Sequence, residues 1–195
     1  MLEIVTLVGV LVAAIGYFAK YATDLRLAQR NDRLERINQQ LSEFYGPLLA
    51  CTQSSEESWH AFRKRHRPGT GSFWRSDPPP TREDVLVWRL WITTVFMPVN
   101  ERITQLVFER ADLIVEPEMP RCLLAVCAHV AGYRAIIKEW ESGEVSLRRE
   151  DNLSLVNFPG QELADYATTR FAHLKAEQGK LLGSRSAGFR DAGTT

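Results

Sequence analysis

From Leu2 to Ala19 the chain reads LEIVTLVGVLVAAIGYFA, a run whose only charge, Glu3, stands close to its start. About 18 helical residues extend roughly 27 Å, enough to cross the hydrocarbon core of a bilayer. The strongly apolar side chains favour insertion by roughly 3 to 6 kcal/mol. Tyr17, Phe18 and Tyr21 add an aromatic belt beside Lys20. The pattern predicts a transmembrane anchor over residues 1–20, held in membrane lipid through residues 2–19. A cleaved signal peptide is the rival reading, but it needs a basic start and a small-x-small cleavage site. The opening MLE has no side-chain cation, and the best small pair, Ala14 with Gly16, lies inside the run. Lys20, Arg26, Arg30, Arg33 and Arg36 all follow it, so the positive-inside rule sets the N-terminus outside and the rest of the chain in the cytoplasm.

Beyond the span the apolar positions take up a helical period. Leu34, Ile37, Leu41, Phe44 and Leu48 alternate in steps of three and four, and Thr52, Ser55, Trp59 and Phe62 keep the phase. That phase passes through Gly46-Pro47. Pro47 cannot donate to the carbonyl of Glu43, and its ring crowds that carbonyl. A hairpin uses loop residues and resets the phase; here Gly46 alone is spare, which predicts a bent helix that does not turn back. Residues 67–81, RPGTGSFWRSDPPPT, read as a basic Gly/Pro-rich loop. TRED, from Thr81 to Asp84, then resembles a capping box with Asp84 in place of the usual Glu or Gln. The helix it opens, VLVWRLWITTVFMPV, is short for a second span and carries Arg89, so it reads as a buried bundle helix. Trp88, Ile92, Val95, Val99, Ile103 and Leu106 form its expected inner face, carried through Pro98. A further helix is expected from Met119 to Trp140 around Leu123, Val126, Val130 and Ile137. SGEVSLRREDNLSLVN lacks a helical period and leaves room for one short extended segment. A last helix, Pro159 to Leu182, presents Leu163, Ala167, Phe171, Leu174 and Leu181, and residues 183–195 read as a disordered tail. The expected fold is all-α: an N-terminal transmembrane helix, then an antiparallel bundle of about four long, partly proline-kinked helices over residues 21–182.

The segments FYGPL and WRLWITTVFMPVNER resemble those of a group of small bacterial single-span membrane proteins, over a stretch running from about Asp32 through the last helix. The resemblance implies a bacterial inner-membrane location. It carries over no activity and no functional residue.

Charge changes the picture little. Acidic and basic residues balance at 24 each over 195 residues, so no global field recruits nucleic acid, and a nucleic-acid partner is not expected. Three cysteines, Cys51, Cys122 and Cys127, fit free buried thiols in a reducing compartment better than a disulfide framework. Glu57 and His60 have the E-x-x-H spacing of di-iron bundles. Only one copy occurs, and both positions point away from the face set by Ser55, Trp59 and Phe62. Cys122, Cys127 and His129 are too far apart around and along one helix to chelate a zinc ion unaided. No phosphate loop, nucleophile elbow, H-E-x-x-H or paired C-x-x-C is present. No metal, cofactor or catalytic set is nominated.

Two groups remain as candidate contact residues. Arg65, Arg67, Trp74 and Arg75 gather cations and an indole on the basic loop, residue types that dominate protein interfaces, although cations also favour a helix C-terminus for its dipole. Gly9, Ala13 and Gly16 share one face of the span and permit weak homo-oligomerisation through close backbone approach. The expected function is a membrane-tethered cytoplasmic interaction module with a protein partner. A bilayer-perturbing bacterial effector, as in defence, and an enzyme are the alternatives.

Overall fold

The structure, a computed structural model, describes residues 2–66, 73–75 and 77–191; for residues 2–8, 10, 12, 13, 75, 142 and 184–191 it describes the backbone alone. Among the described residues six α-helices follow one another: α1 (Leu2–Gln39), α2 (Gly46–His66), α3 (Arg82–Trp91), α4 (Met97–Glu109), α5 (Arg121–Ser142) and α6 (Gly160–Asp191). A π-helical turn, Gln40–Tyr45, joins α1 to α2, and a second, Ile92–Phe96, joins α3 to α4. Among the described residues there is no strand, and the all-α bundle expected from the sequence is present.

The two π turns explain both in-helix prolines. Each ends just before one, at Gly46-Pro47 and at Met97-Pro98. In the second, the Met97 N–H donates to the carbonyl of Ile92, five residues back. The longer loop of a π bond relaxes the crowding that a proline imposes on the preceding turn. Thr93 donates its hydroxyl to the carbonyls of Arg89 and Leu90, and Thr94 donates to Leu90, supplying partners where the regular ladder is disturbed. At the first π turn the requirement falls on Gly46. A Cβ there would stand 2.5 Å from the carbonyl oxygen of Leu41, again five residues back. Helix therefore continues from Leu41 past Trp59, without a hairpin.

A π turn also brings an extra residue to the inner face. Phe44 and Tyr45 are both fully buried, and the neighbours Phe96 and Met97 are also buried. This corrects the inner face expected for α3 and α4: Val95 and Val99 are only half-buried, while Phe96, Met97 and Asn100 take the core positions. Thr81 caps α3 as anticipated. Its hydroxyl accepts from the Asp84 N–H at 3.2 Å, and the Asp84 carboxylate accepts from the Thr81 N–H at 2.8 Å.

The chain divides into two compact units, residues 40–174 and residues 1–39 with 175–195. In the first, α4 packs against α2 and α5. Phe62, Trp88, Ile92, Phe96, Met97, Val130 and Tyr133 form a continuous aromatic-rich core. Leu163, Ala167 and Leu174 bury one face of α6. The segment expected to hold an extended stretch instead forms a 3-10 turn, Glu150–Asn152, because Asn152 draws the chain into a local coil of hydrogen bonds described below. In the second unit, polar contacts join α1 to the end of α6. Arg33 pairs with Glu177 at 3.0 Å, Gln178 donates to Asn38, and Arg30 donates to the carbonyl of Leu181. Helix α6 reaches Asp191, so residues 183–191 are helical where a disordered tail was expected; residues 192–195 lie outside the described ones. Among the described residues no helix is long and apolar enough to cross a membrane. Much of the expected anchor falls on side chains outside that set, those of residues 2–8, 10, 12 and 13. Among the described side chains of α1, Leu11, Ile15, Tyr17, Phe18 and Tyr21 are each more than half exposed.

Candidate functional site

A cleft of about 570 Å³ opens in the 40–174 unit. One wall is α2, through Thr52, Ser55 and Trp59; the facing wall is the α3–α4 run, through Trp88, Ile92, Phe96 and Asn100. Helix α5 contributes His129 and Tyr133, and the segments around Phe73 and Phe158 close the sides. The aromatic rings are locked by mutual edge and stacked contacts. Trp59 meets Trp88 at 6.1 Å, Phe73 stacks on Trp88 at 5.1 Å, and Trp74 stands edge-on to Trp88 at 5.9 Å. Such pairs hold a preformed wall.

The segment between α5 and α6 is positioned by one residue, Asn152, which is completely buried. Its side-chain amide donates to the carbonyls of Ser146 at 2.9 Å and Arg148 at 2.7 Å, while its Oδ1 accepts from Arg89 Nε at 2.8 Å. Its backbone carbonyl accepts from the Trp88 indole at 3.1 Å. The Trp140 indole donates to the next carbonyl, that of Asp151, and the Arg89 guanidinium lies 4.8 Å over the Trp140 ring. Arg89, which argued against a second span, is thus the clamp between α3 and this segment. Gly132 lets the segment approach α5: a Cβ there would stand 2.3 Å from Ser154 Oγ.

The inside of the cleft is polar without being charged. His129 Nδ1 lies 2.7 Å from the carbonyl of Val156, which can only accept, so Nδ1 carries the proton and Nε2 is an acceptor. Burial lowers the His129 pKa and keeps the ring neutral. Burial likewise pushes the Tyr133 hydroxyl well above the usual phenol range. Three buried atoms among the cleft residues have no hydrogen-bond partner: Trp74 Nε1, Asn100 Oδ1 and Ser154 Oγ. Ser154 Oγ is turned against Gly132. The other two offer a donor and an acceptor.

A separate polar chain holds the loop between α4 and α5. The Val115 N–H donates to Tyr45 Oη at 3.1 Å, Tyr45 and Tyr166 hydroxyls meet at 3.2 Å, and Tyr166 donates to Glu116 at 2.9 Å. Arg170 completes it as the ion-pair partner of Glu116. Burial raises the pKa of both tyrosines, so they act as fixed hydrogen-bonding groups with no tendency to ionise.

The residues singled out by the sequence fare differently. Trp74 is half-buried and packs on Phe73 and Trp88, so it lines the cleft and does not stand free in the loop. Arg65 is exposed in the last turn of α2; Arg67 and the side chain of Arg75 lie outside the described residues. Gly9 and Gly16 have open space around them, and the Ala13 side chain lies outside the described set. Glu57 and His60 are exposed, and His60 faces Glu56 at 3.8 Å. Of the three cysteines expected to be buried, Cys51 and Cys127 are half-buried and Cys122 is buried, its thiol pushed up to about 11 by burial first and by Glu162 second. Among the described residues no group of three or more His, Cys, Asp and Glu could hold a metal ion. Asn100, Tyr133 and Asn152 were missed. The signal for Asn100 was available, since it follows Trp88, Ile92 and Phe96 at steps of four as a lone uncharged polar residue on an apolar face. Compared with protein-family models, curated proteins and solved structures, the chain matches none.

Proposed function

We propose that this chain is a membrane-tethered binding module of the bacterial inner membrane. In this reading residues 2–19 anchor it in a single pass with the N-terminus outside, and the helical bundle works in the cytoplasm. The observation that carries it is the row of exposed apolar side chains on α1, from Leu11 to Tyr21, with Ile15 61% and Phe18 68% exposed. A helix that leaves large apolar residues uncovered on several sides gains from a lipid or protein surround. The arginines after Lys20 and the resemblance of the FYGPL and WRLWITTVFMPVNER segments to small bacterial membrane proteins support the same orientation and place.

The working surface in this proposal is the end of α2 with the aromatic cleft beside it. Arg65 and Trp74, with Arg67 and Arg75, contact a protein partner there. Alkaline extraction should leave the protein in the membrane fraction, and protease added outside spheroplasts should spare the bundle. Release into the soluble fraction overturns the tether. Affinity capture from native membranes, followed by mass spectrometry, should recover one partner that Arg65→Ala and Trp74→Ala both weaken. Unchanged capture by both variants removes these residues from the contact.

A further inference from the structure

We propose that the aromatic cleft of the bundle is a binding site for a small, uncharged, elongated molecule, with an apolar or aromatic body, an acceptor at one end and a donor at the other. This site lies inside the bundle; it shares Trp74 with the proposed partner surface, but Arg65 is not among its lining residues.

Shape gives the first argument. Trp88, Ile92, Phe96 and Asn100 succeed one another along one helical run and all line the cleft. Twelve residues of helix rise about 18 Å, so this wall, the floor on which a ligand would lie, is an extended one. Its volume, about 570 Å³, falls in the range of small-molecule sites. The walls carry flat faces suited to a ring or a chain, chiefly Trp59, Phe73 and Phe158.

The polar atoms give the second argument, and they stand at opposite ends. Trp74 leans on Trp88, the start of the floor, and its buried indole N–H has no acceptor. Asn100, at the other end, is 4% exposed, and its buried Oδ1 has no donor. Buried polar atoms in folded proteins almost always find partners, so an unpaired donor and an unpaired acceptor lining one cleft call for partners from outside the chain. A ligand acceptor facing Trp74 and a ligand N–H or O–H facing Asn100 would satisfy both.

Charge gives the third. Of the ionisable groups on the lining, Glu56, His60 and Arg149 are the exposed ones: the Glu56 and His60 side chains are 51% and 64% exposed and face each other, whereas His129 and Tyr133 are buried. The deeper polar groups, Thr52, Ser55, Asn100 and His129, are neutral. A charged ligand would lose its hydration without gaining a counter-charge, and is excluded.

The test uses the full chain in nanodiscs and a matched pair of probes, N-phenyl-1-naphthylamine and its anionic analogue 8-anilino-1-naphthalenesulfonate. Both share one aromatic body and an N–H; only the second carries a charge. Fluorescence titrations are run on the wild type and on Ala164→Phe, in which a half-buried lining residue of α6 is enlarged to fill the cleft. Partition of the probe into lipid is common to both proteins and cancels. The expected result is a saturable one-to-one component for the uncharged probe in the wild type. It should be at least tenfold weaker in Ala164→Phe and at least tenfold weaker for the sulfonate. Asn100→Leu, which removes the acceptor without adding bulk, should weaken the uncharged probe at least threefold, and it serves as the deciding variant if Ala164→Phe loses its helical circular dichroism. Equal titrations in the wild type and a folded Ala164→Phe, equal affinity for the two probes, or an unaffected Asn100→Leu overturns the proposal. Arg65→Ala, which affects only the outer surface, should leave probe binding unchanged.

Discussion

At the scale of single residues, three positions hold more of this fold than their chemistry advertises. Gly46 is required by space: its missing Cβ is where the Leu41 carbonyl would otherwise be met at 2.5 Å. Because the obstacle is backbone and cannot rotate aside, Gly46→Ala should cost about 1–3 kcal/mol, read as a lower urea midpoint with an unchanged slope. Asn152 saturates its side chain with two carbonyls and one guanidinium. Asn152→Ala strands all three, and a loss of roughly 2–4 kcal/mol is expected, with increased proteolysis between α5 and α6. His129 makes stability depend on pH. Its folded pKa is depressed by burial, so below the unfolded value of about 6.5 the unfolded chain takes up a proton that the folded one refuses. Its contribution is therefore full above about pH 6.5 and is lost as the pH falls from there toward the folded pKa. The melting temperature should drop across that window, and His129→Gln should flatten this part of the profile. None of the three was legible. A sequence pattern reports which residues are apolar; it does not report a carbonyl five residues back or the acceptors that surround an asparagine.

At the scale of elements, legibility was high wherever period and capping act locally. The Thr81–Asp84 box starts α3 where its spacing says it should, and the three-four pattern from Ile37 to Phe62 marks a face that is buried or half-buried throughout. The absence of a hairpin at Gly46-Pro47 was legible for the same reason, the unbroken phase. What the phase could not show is how each proline is accommodated. A π turn adds one residue to the face, and so Tyr45 and Met97 enter the core beside Phe44 and Phe96, while Val95 and Val99 move outward. Since the π turn already relieves the ring, Pro47→Ala should change stability by less than about 1 kcal/mol. A larger loss would mean that the proline itself fixes the bend. In the proposed span, Gly9→Leu and Gly16→Leu should lower a membrane two-hybrid signal, because open space surrounds both glycines and close approach of two copies needs it.

At the scale of the whole molecule, fold class and core were readable because four long apolar patterns can only bury one another. The cleft was not, because it depends on how rings from distant parts of the chain come together: Trp59 from α2, Trp74 from a Gly/Pro-rich segment, Trp88 from α3. That assembly has an optical consequence. Five tryptophans serve the chain, and the lowest-numbered is Trp59, so the first 58 residues, the proposed span included, contribute no indole. Trp59 and Trp74 each stand edge-on to Trp88, with ring centroids at 6.1 and 5.9 Å and interplanar angles of 81° and 84°. Transition dipoles so placed couple, and their exciton couplet should ride on the helical bands of the far-ultraviolet circular dichroism. On heating or in acid, the couplet should vanish when the rings separate, while helical ellipticity persists in any state that keeps its helices but not their packing. Trp88→Phe should remove it at room temperature. One spectrum would then report the packing of this cleft apart from the helices that carry it.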